Sequence, residues 1–207
     1  MFRIILASSS PRRIELMSQV GLEVDSLRPI ADESVLRHES PMRMVARLAR
    51  EKALSLTPAG PKTAPPRSRT LIIAADTTVV APDGKSIFGK PRNRKDAARM
   101  LRALAGKTHT VLTGYCIVEI SRKPKRHTRV VSSRVRMRPL SRPQIERYID
   151  SGEPNDKAGA YAAQGLGMAL IEGISGSYTN VVGLPMAQLL SDLDKIFGIA
   201  LFGRTPK

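Results

Sequence analysis

The chain alternates apolar runs that are typical of strands with amphipathic segments of helical spacing, an order that favours an α/β fold. The first such pair begins with an apolar run over residues 2–6. Ser10 then suits a helix N-cap, Pro11 suits the first helical position, and Gly21 suits the end of that helix. With 207 residues, of which 42% are apolar, the chain can build a sizeable hydrophobic core.

Strand and helix patterns continue along the rest of the chain without an internal repeat. Strands are predicted over 71–75, 108–120, 128–137 and 167–174, and helices over 41–56, 94–105, 141–151 and 185–197. The segment 57–70, rich in proline and basic residues, is interpreted as an exposed loop because strand and helix patterns resume directly after it. The basic tract 122–127 is interpreted as a hairpin tip. We therefore expect a single domain over residues 1–207.

The formal net charge of +16 raises the question of a nucleic-acid partner. The basic residues, however, are spread along the chain, and four Phe, four Tyr and no Trp offer little surface for base stacking. Neither an aromatic RNA-binding motif nor zinc-finger spacing is present in the sequence. The composition therefore fits a polyanionic partner and disfavours nucleic acid.

Cysteine content and hydropathy bear on the cellular compartment. Cys116 lies in an apolar run, and we interpret it as a small buried residue in a reducing compartment. The sequence contains no apolar stretch of about 18 residues, and its N-terminus lacks the pattern of a signal peptide. We therefore expect a cytoplasmic protein with no membrane partner.

Two arginines, Arg12 and Arg13, lie in the first turn of the first predicted helix. That end of a helix carries partial positive charge and exposed N–H groups, so cations there are unfavourable unless an anion binds. On these local grounds an anion-binding site and a pair of solvated arginines are equally good interpretations.

Lys52 follows Leu48 by four residues and Val45 by seven, which places it on the apolar face of the second predicted helix. A lysine in this position either extends to the rim of the apolar surface or points into a pocket.

Asp76 follows the apolar run 71–75 and is expected at the carboxyl end of a strand. Ligands of open α/β sheets bind beyond such strand ends, where a carboxylate can bind a divalent metal or accept a proton from water. The alternative is an Asp that caps a helix or a turn, which the β-branched residues 77–80 disfavour as the start of a helix.

Further charged residues lie in predicted loops. Asp32 and Glu33 precede the second helix, where either could complete a metal site, and Lys90 lies at a turn, where it could bind phosphate as a point charge. With the two arginines, Lys52 and Asp76, they form the set that phosphoryl chemistry requires: cations for the oxygens, and carboxylates for Mg²⁺ or Mn²⁺ and for water. The phosphate-binding patterns GxxxxGK[ST] and GxGxxG are absent.

Two polar, glycine-rich segments, 152–165 and 175–185, are candidates for functional loops. The first contains Asp156, Lys157 and Gln164. Gln164 offers both donors and an acceptor, which suits recognition of a base edge. Alternatively, both segments only shape turns.

Six short motifs are spread over nearly the whole chain: SSSPRR from Ser8, LAREKA from Leu48, AADT from Ala74, GKP from Gly89, GEPNDKAGAYAAQG from Gly152 and SGSYTNVVGLP from Ser175. In this order and at these separations they resemble the Maf family of nucleotide pyrophosphatases. The resemblance implies an α/β fold of the inosine-triphosphate-pyrophosphatase type, with an elongated mixed β-sheet flanked by helices and a cleft between two lobes. It also implies hydrolysis of a nucleoside triphosphate to the monophosphate and pyrophosphate, with Mg²⁺ or Mn²⁺.

The resemblance implies roles for single residues as well. Asp76 corresponds to the proton acceptor that activates water, and Glu33 with Asp76 would hold the metal. The phosphate-binding positions correspond to Ser8, Arg13, Lys52 and Lys90. A homodimer is a further family expectation.

Three positions separate subgroups of this family. The subgroup that acts on dTTP and UTP has Arg, Thr and Gln at the positions of Arg12, Thr77 and Gln164, whereas the subgroup that acts on 7-methyl-GTP typically has Trp, Gln and Glu. This chain resembles the first subgroup at each position. The resemblance therefore implies dTTP and UTP as substrates, modified pyrimidine nucleotides as further candidates, and removal of surplus or modified nucleotides as the purpose.

Two other functions remain open on the sequence. A nucleic-acid-binding or cell-division regulatory protein without catalysis would explain the charge of +16, but not the placement of Lys52 and Asp76. A different phosphohydrolase would cut at the γ-phosphate and release orthophosphate.

Overall fold

A computed structural model describes residues 2–57, 69–121 and 125–200 of the chain. The strands are β1 Phe2–Ala7, β2 Asp25–Leu27, β3 Arg69–Val80, β4 Ile87–Phe88, β5 Thr108–Ile120, β6 Lys125–Met137 and β7 Ile171–Ser175. The α-helices are α1 Pro11–Gln19, α2 Pro41–Leu54, α3 Arg94–Leu104, α4 Arg142–Asp150, α5 Tyr178–Val182 and α6 Met186–Phe197. Short 3₁₀ turns cover Glu153–Asp156, Ala158–Ala160 and Gly165–Leu170.

The described strands form one seven-stranded mixed sheet with the order β2-β1-β3-β5-β6-β7, and β4 pairs with the end of β3. Strand β1 runs parallel to β2 and β3, whereas the pairs from β3 through β5 and β6 to β7 are antiparallel. The long strands β3, β5 and β6 make the sheet elongated. The predicted α/β class, with a mixed sheet flanked by helices, is confirmed.

Strand β3 passes through two packed regions of the core. Along its first half, Leu71 and Ile73 pack with α1 and α6 on one face, and Ile72 and Ala74 pack with α2 on the other. Along its second half, Val79 packs in a cluster with α3 and α4. A cleft with a cavity volume of about 750 Å³ opens where the two regions meet.

The expectation that Asp76 ends its strand is wrong. Strand β3 continues to Val80 because β5 pairs with it along the whole length, and Asp76 itself lies opposite Gly114. The strand that ends here is the other neighbour, β1, whose last residue Ala7 pairs with Ala74. Asp76 therefore lies in the middle of its own strand, just beyond the point where the neighbouring strand β1 ends.

The predicted strand over 167–174 is correct only in its second half. Gly165–Leu170 forms a 3₁₀ turn, and β7 covers Ile171–Ser175. The carboxylate of Glu153 accepts a hydrogen bond of 2.8 Å from the N–H of Gly167 and another from the residue before it, which holds the turn. This carboxylate is distant in sequence, so local spacing could not reveal the turn.

The two predicted loops, 57–70 and 122–127, are described only at their ends. Residues 58–68 and 122–124 are not described, so the centre of each loop is untested. The residues 125–127 of the basic tract belong to β6, because pairing with β5 continues to Lys125 opposite Glu119.

Cys116 is buried as predicted. None of the helices in the described part of the chain has the length and apolar character needed to cross a membrane.

His109 is a buried titratable group in the second packed region of the core. Its Nε2 lies 2.7 Å from the hydroxyl oxygen of Tyr161, and its Nδ1 has no hydrogen-bond partner among the described residues. Burial lowers the pKa of His109 to about 4. The folded protein therefore holds His109 neutral at pH values where the unfolded chain already binds a proton.

This difference predicts a pH-dependent stability. As the pH falls from about 6.5 to about 4, the unfolded state gains a proton that the folded state does not, so the free energy of unfolding falls by up to about 3 kcal/mol. Urea unfolding of the wild type and of His109→Gln across this range measures the effect, and the stability advantage of the wild type should shrink with falling pH. An equal slope in both proteins would contradict the assignment. His38→Asn, at an exposed loop position, is the control.

Candidate active site

The cleft collects the candidate residues that the sequence suggested, with the exception of Asp32, which lies outside its lining and accepts a hydrogen bond of 2.9 Å from the N–H of Ser34. Its walls come from the loop after β1, the start of α1, the loop after β2, helix α2, the centre of β3, the residues after β4, and the 3₁₀ turns. The lining includes Ser8, Arg12, Arg13, Glu33, Lys52, Asp76, Thr77, Lys90 and Gln164. Residues that lie up to 156 positions apart in the chain thus face one cavity.

Lys52 lies between two carboxylates at the floor of the cleft. Its Nζ is 2.6 Å from Glu33 Oε1 and 2.7 Å from Asp76 Oδ1. Only 8% of Lys52 is exposed, so its side chain points into the cleft and does not extend to the outer rim. Burial of an ammonium group is costly unless carboxylates compensate it, and both partners here do so.

The two carboxylates differ in their surroundings. Asp76 is 9% exposed, and its Oδ2 has no hydrogen-bond partner among the described residues. Glu33 is exposed on the loop that precedes α2. Partial burial raises the pKa of Glu33, but the hydrogen bond and charge of Lys52, aided by Lys90 and Arg13, outweigh it, so the net pKa is lowered. Glu33 is therefore an anion at neutral pH, and Asp76 has one oxygen available to a ligand.

Arg13 connects three segments of the chain. Its Nη1 donates to the carbonyl of Ala75 at 2.8 Å and to Ser8 Oγ at 3.3 Å. Its Nε donates to the carbonyl of Gly183 at 2.8 Å, and its Nη2 donates to Thr77 Oγ1 at 3.1 Å. These bonds use four of the five guanidinium N–H groups and leave one for a ligand. Burial is the main cause that lowers the pKa of Arg13, and the nearby charge of Asp76 opposes it.

Arg12 reaches across the mouth of the cleft. Its Nη1 lies 3.1 Å from Asp156 Oδ2, and Lys157 forms an ion pair with the same carboxylate. Partial burial raises the pKa of Asp156, but the two cations outweigh it and the net pKa is lowered. Asp156 and Lys157 stood out in the sequence only as part of a polar, glycine-rich segment, and their pairing with Arg12 was not foreseen.

Two candidate residues, Lys90 and Gln164, have side chains that a ligand can reach. Lys90 is exposed and forms no ion pair with any residue that the structure describes. Gln164 is half-buried and lines the cleft directly after the buried Ala163. Both groups are therefore accessible to a ligand in the cavity.

A divalent metal would find oxygen donors in this cleft but no complete protein cage. Among the described residues there is no group of three or more His, Cys, Asp or Glu that could enclose an ion. Mg²⁺ is usually held by one or two carboxylates together with substrate phosphates and water. Glu33 and Asp76, joined through Lys52, fit that mode of binding.

Comparisons with known proteins agree with these motifs. The family model described as Maf-like protein matches residues 3–196. A dTTP/UTP pyrophosphatase of Moorella thermoacetica is 45% identical over 204 residues, which cover 99% of this chain and 100% of that protein. A dTTP/UTP pyrophosphatase of Dictyoglomus thermophilum is 44% identical, with coverage of 93% and 95%.

A solved structure with much lower sequence identity was also found. The nucleoside-triphosphatase, or dITP/XTP pyrophosphatase, of Mycobacterium abscessus has 11% identity and a TM-score of 0.38, with coverage of 93% of both chains. The family assignment rests on the family model and on the relatives above. This chain belongs to the Maf family.

Proposed function

We propose that this protein hydrolyses dTTP and UTP to the nucleoside monophosphate and pyrophosphate. The observation that carries the proposal is the contact of Lys52 with both Glu33 and Asp76 on the floor of a cleft lined by further cations. The family, and relatives that are named for this activity and match nearly the full chain, support the choice of substrate.

The reaction is an in-line attack of water on the α-phosphorus. Asp76 orients the water through its Oδ2 and accepts the proton, while Lys52 holds the carboxylate by its other oxygen at 2.7 Å. The remaining N–H of Arg13, the Lys90 ammonium and the Ser8 hydroxyl bind the phosphate oxygens. The positive charge of Arg13 and Lys90 compensates the negative charge that develops during the attack.

The same site suits Mg²⁺ or Mn²⁺ through the carboxylates of Glu33 and Asp76. When bound, such an ion supplies Lewis-acid neutralisation of the phosphate oxygens. The carboxylates of this chain provide the negative charge that would hold it, and Lys52 contacts both of them.

Recognition of the base is assigned to Thr77, Gln164 and Arg12, which line the same cleft. A site that hydrogen-bonds the base rejects a mismatched base more strongly than an apolar slot does. Modified pyrimidine nucleotides are further candidate substrates, and removal of surplus nucleotides in the cytoplasm is the proposed purpose. The homodimer expected from the family is proposed with it.

The product assay tests this function against the alternatives. We expect pyrophosphate with TMP or UMP when the protein is incubated with dTTP or UTP and Mg²⁺ or Mn²⁺, and little turnover of GTP or 7-methyl-GTP. Release of orthophosphate would instead identify a hydrolase that cuts at the γ-phosphate. A protein that turns over no nucleotide would contradict the proposal and favour the non-catalytic, nucleic-acid-binding alternative.

A further inference from the structure

The hydroxyl of Thr77 is held by neighbours on the wall of the cleft. Its Oγ1 accepts a hydrogen bond from Arg13 Nη2 at 3.1 Å and lies 2.9 Å from Thr113 Oγ1. The carbonyl of Gly183 is farther away, at 3.4 Å, and already accepts a bond of 2.8 Å from Arg13 Nε. The short contact between the two threonine hydroxyls requires that one of them donates its only proton to the other.

The surroundings of Thr113 decide which hydroxyl donates. Thr113 is fully buried, and its Oγ1 lies 2.9 Å from the backbone carbonyl of Asn180, which is also fully buried. A carbonyl can only accept, and leaving it unpaired in the core costs about 1–3 kcal/mol. Thr113 therefore gives its proton to Asn180, and its oxygen accepts the proton of Thr77.

The acceptor at the end of this chain is itself fixed. The side-chain amide of Asn180 donates to the carbonyl of Val111 at 3.1 Å and to Ser133 Oγ at 3.0 Å. Its backbone is further held by the bond from its own N–H to Ser177 Oγ at 3.2 Å. The Asn180 carbonyl thus cannot turn away from Thr113 without breaking several buried bonds.

Thr77 consequently faces the cleft only as an acceptor. Its proton is committed to Thr113 and one of its lone pairs to Arg13, which leaves one lone pair for a ligand. A phosphate oxygen or a carbonyl, both acceptors, gains nothing from this lone pair. Only a ligand N–H or O–H does.

We infer that Thr113 is a positioning residue that makes Thr77 an obligate hydrogen-bond acceptor for the imide N–H of the base. The inference rests on the proposed function. Thymine and uracil, the bases in the names of the relatives, share an imide N–H between two carbonyls. Cytosine has an unprotonated ring nitrogen at the same place, which would set two acceptors against each other. Because the Thr77 proton is fixed on Thr113, Thr77 favours uracil and thymine over cytosine.

The test compares kcat/KM for UTP and for CTP in three proteins. Thr113→Val keeps the size of the side chain but removes the oxygen, so the Thr77 proton becomes free to turn into the cleft. We expect the ratio of kcat/KM for UTP to that for CTP to fall by about tenfold in Thr113→Val, the size of one neutral hydrogen bond. Thr113→Ser keeps the hydroxyl and should therefore show the same ratio as the wild type.

The controls separate positioning from stability. If Thr113 only supported the fold, Thr113→Val would reduce kcat/KM for both nucleotides alike, and an unchanged ratio would overturn the inference. Thr113→Ala removes the same oxygen and replaces Thr113→Val if the valine variant proves poorly folded by thermal unfolding. If the wild-type protein cleaves neither nucleotide, the proposed function itself is refuted. If the wild type cleaves UTP but Thr113→Val leaves the ratio of kcat/KM for UTP to that for CTP unchanged, only the inference is refuted.

Discussion

Replacement of Asp76 with Asn is expected to lower kcat for pyrophosphate release by about 10²–10⁴-fold, the usual contribution of a general base. The amide can still accept the hydrogen bond from Lys52 Nζ through its oxygen, so the local geometry is retained. It cannot take a proton from water, and it removes one of the two carboxylates that suit a divalent metal. Assay of pyrophosphate from UTP at saturating Mg²⁺ or Mn²⁺ measures the effect.

The control for Asp76→Asn is Asp25→Asn. Asp25 is exposed and its carboxylate pairs with Arg3 outside the cleft, so its change to Asn should leave kcat within about twofold of the wild type. Thermal unfolding of both variants verifies the fold. Full activity of Asp76→Asn would show that another group activates the water, and the mechanism proposed for this cleft would be wrong.

The sequence allowed the position of Lys52 to be predicted because the relevant information is local. Helical spacing from Val45 and Leu48 placed Lys52 on the apolar face of α2, and the structure finds it there, 8% exposed. The α/β class could be predicted for the same reason, since each strand and helix carries its own pattern of apolar residues. Ser10 before α1 and Gly21 after it likewise lie where their types suggested.

The surroundings of Asp76 and Arg13 could not be predicted in this way. Asp76 lies within β3 because β5 pairs with both halves of that strand, and β5 is distant in sequence. The acceptors of Arg13 include the carbonyls of Ala75 and Gly183, and a carbonyl leaves no mark on the sequence. Helix and strand patterns report which face of an element is buried, but they do not report which backbone atoms meet across the fold.

Helix α2 can hold Lys52 in the cleft only because Gly114 lets it approach the sheet. A Cβ atom on Gly114 would lie 2.6 Å from the carbonyl carbon of Val45 and 2.9 Å from the nitrogen of Ala46, and closer still to the Val45 oxygen. These are backbone atoms of α2, so a rotamer change cannot relieve the contact and the helix itself must move. Gly114 also lies opposite Asp76 in the sheet, so the strain arises beside the ion pair of Asp76 with Lys52.

We therefore expect Gly114→Ala to lower the free energy of unfolding by about 3 kcal/mol, the upper range for overpacking of a core. For a chain of this size that corresponds to a fall in Tm of about 6–12 °C. Activity should fall as well, because a shift of α2 moves Lys52 away from Asp76. Gly173→Ala is the matched control: Gly173 also lies in a strand, no heavy atom lies within 4 Å of its added Cβ, and its stability should change by less than about 0.5 kcal/mol. If thermal unfolding gave the same Tm for both variants, the close approach of α2 to Gly114 would not be what positions Lys52.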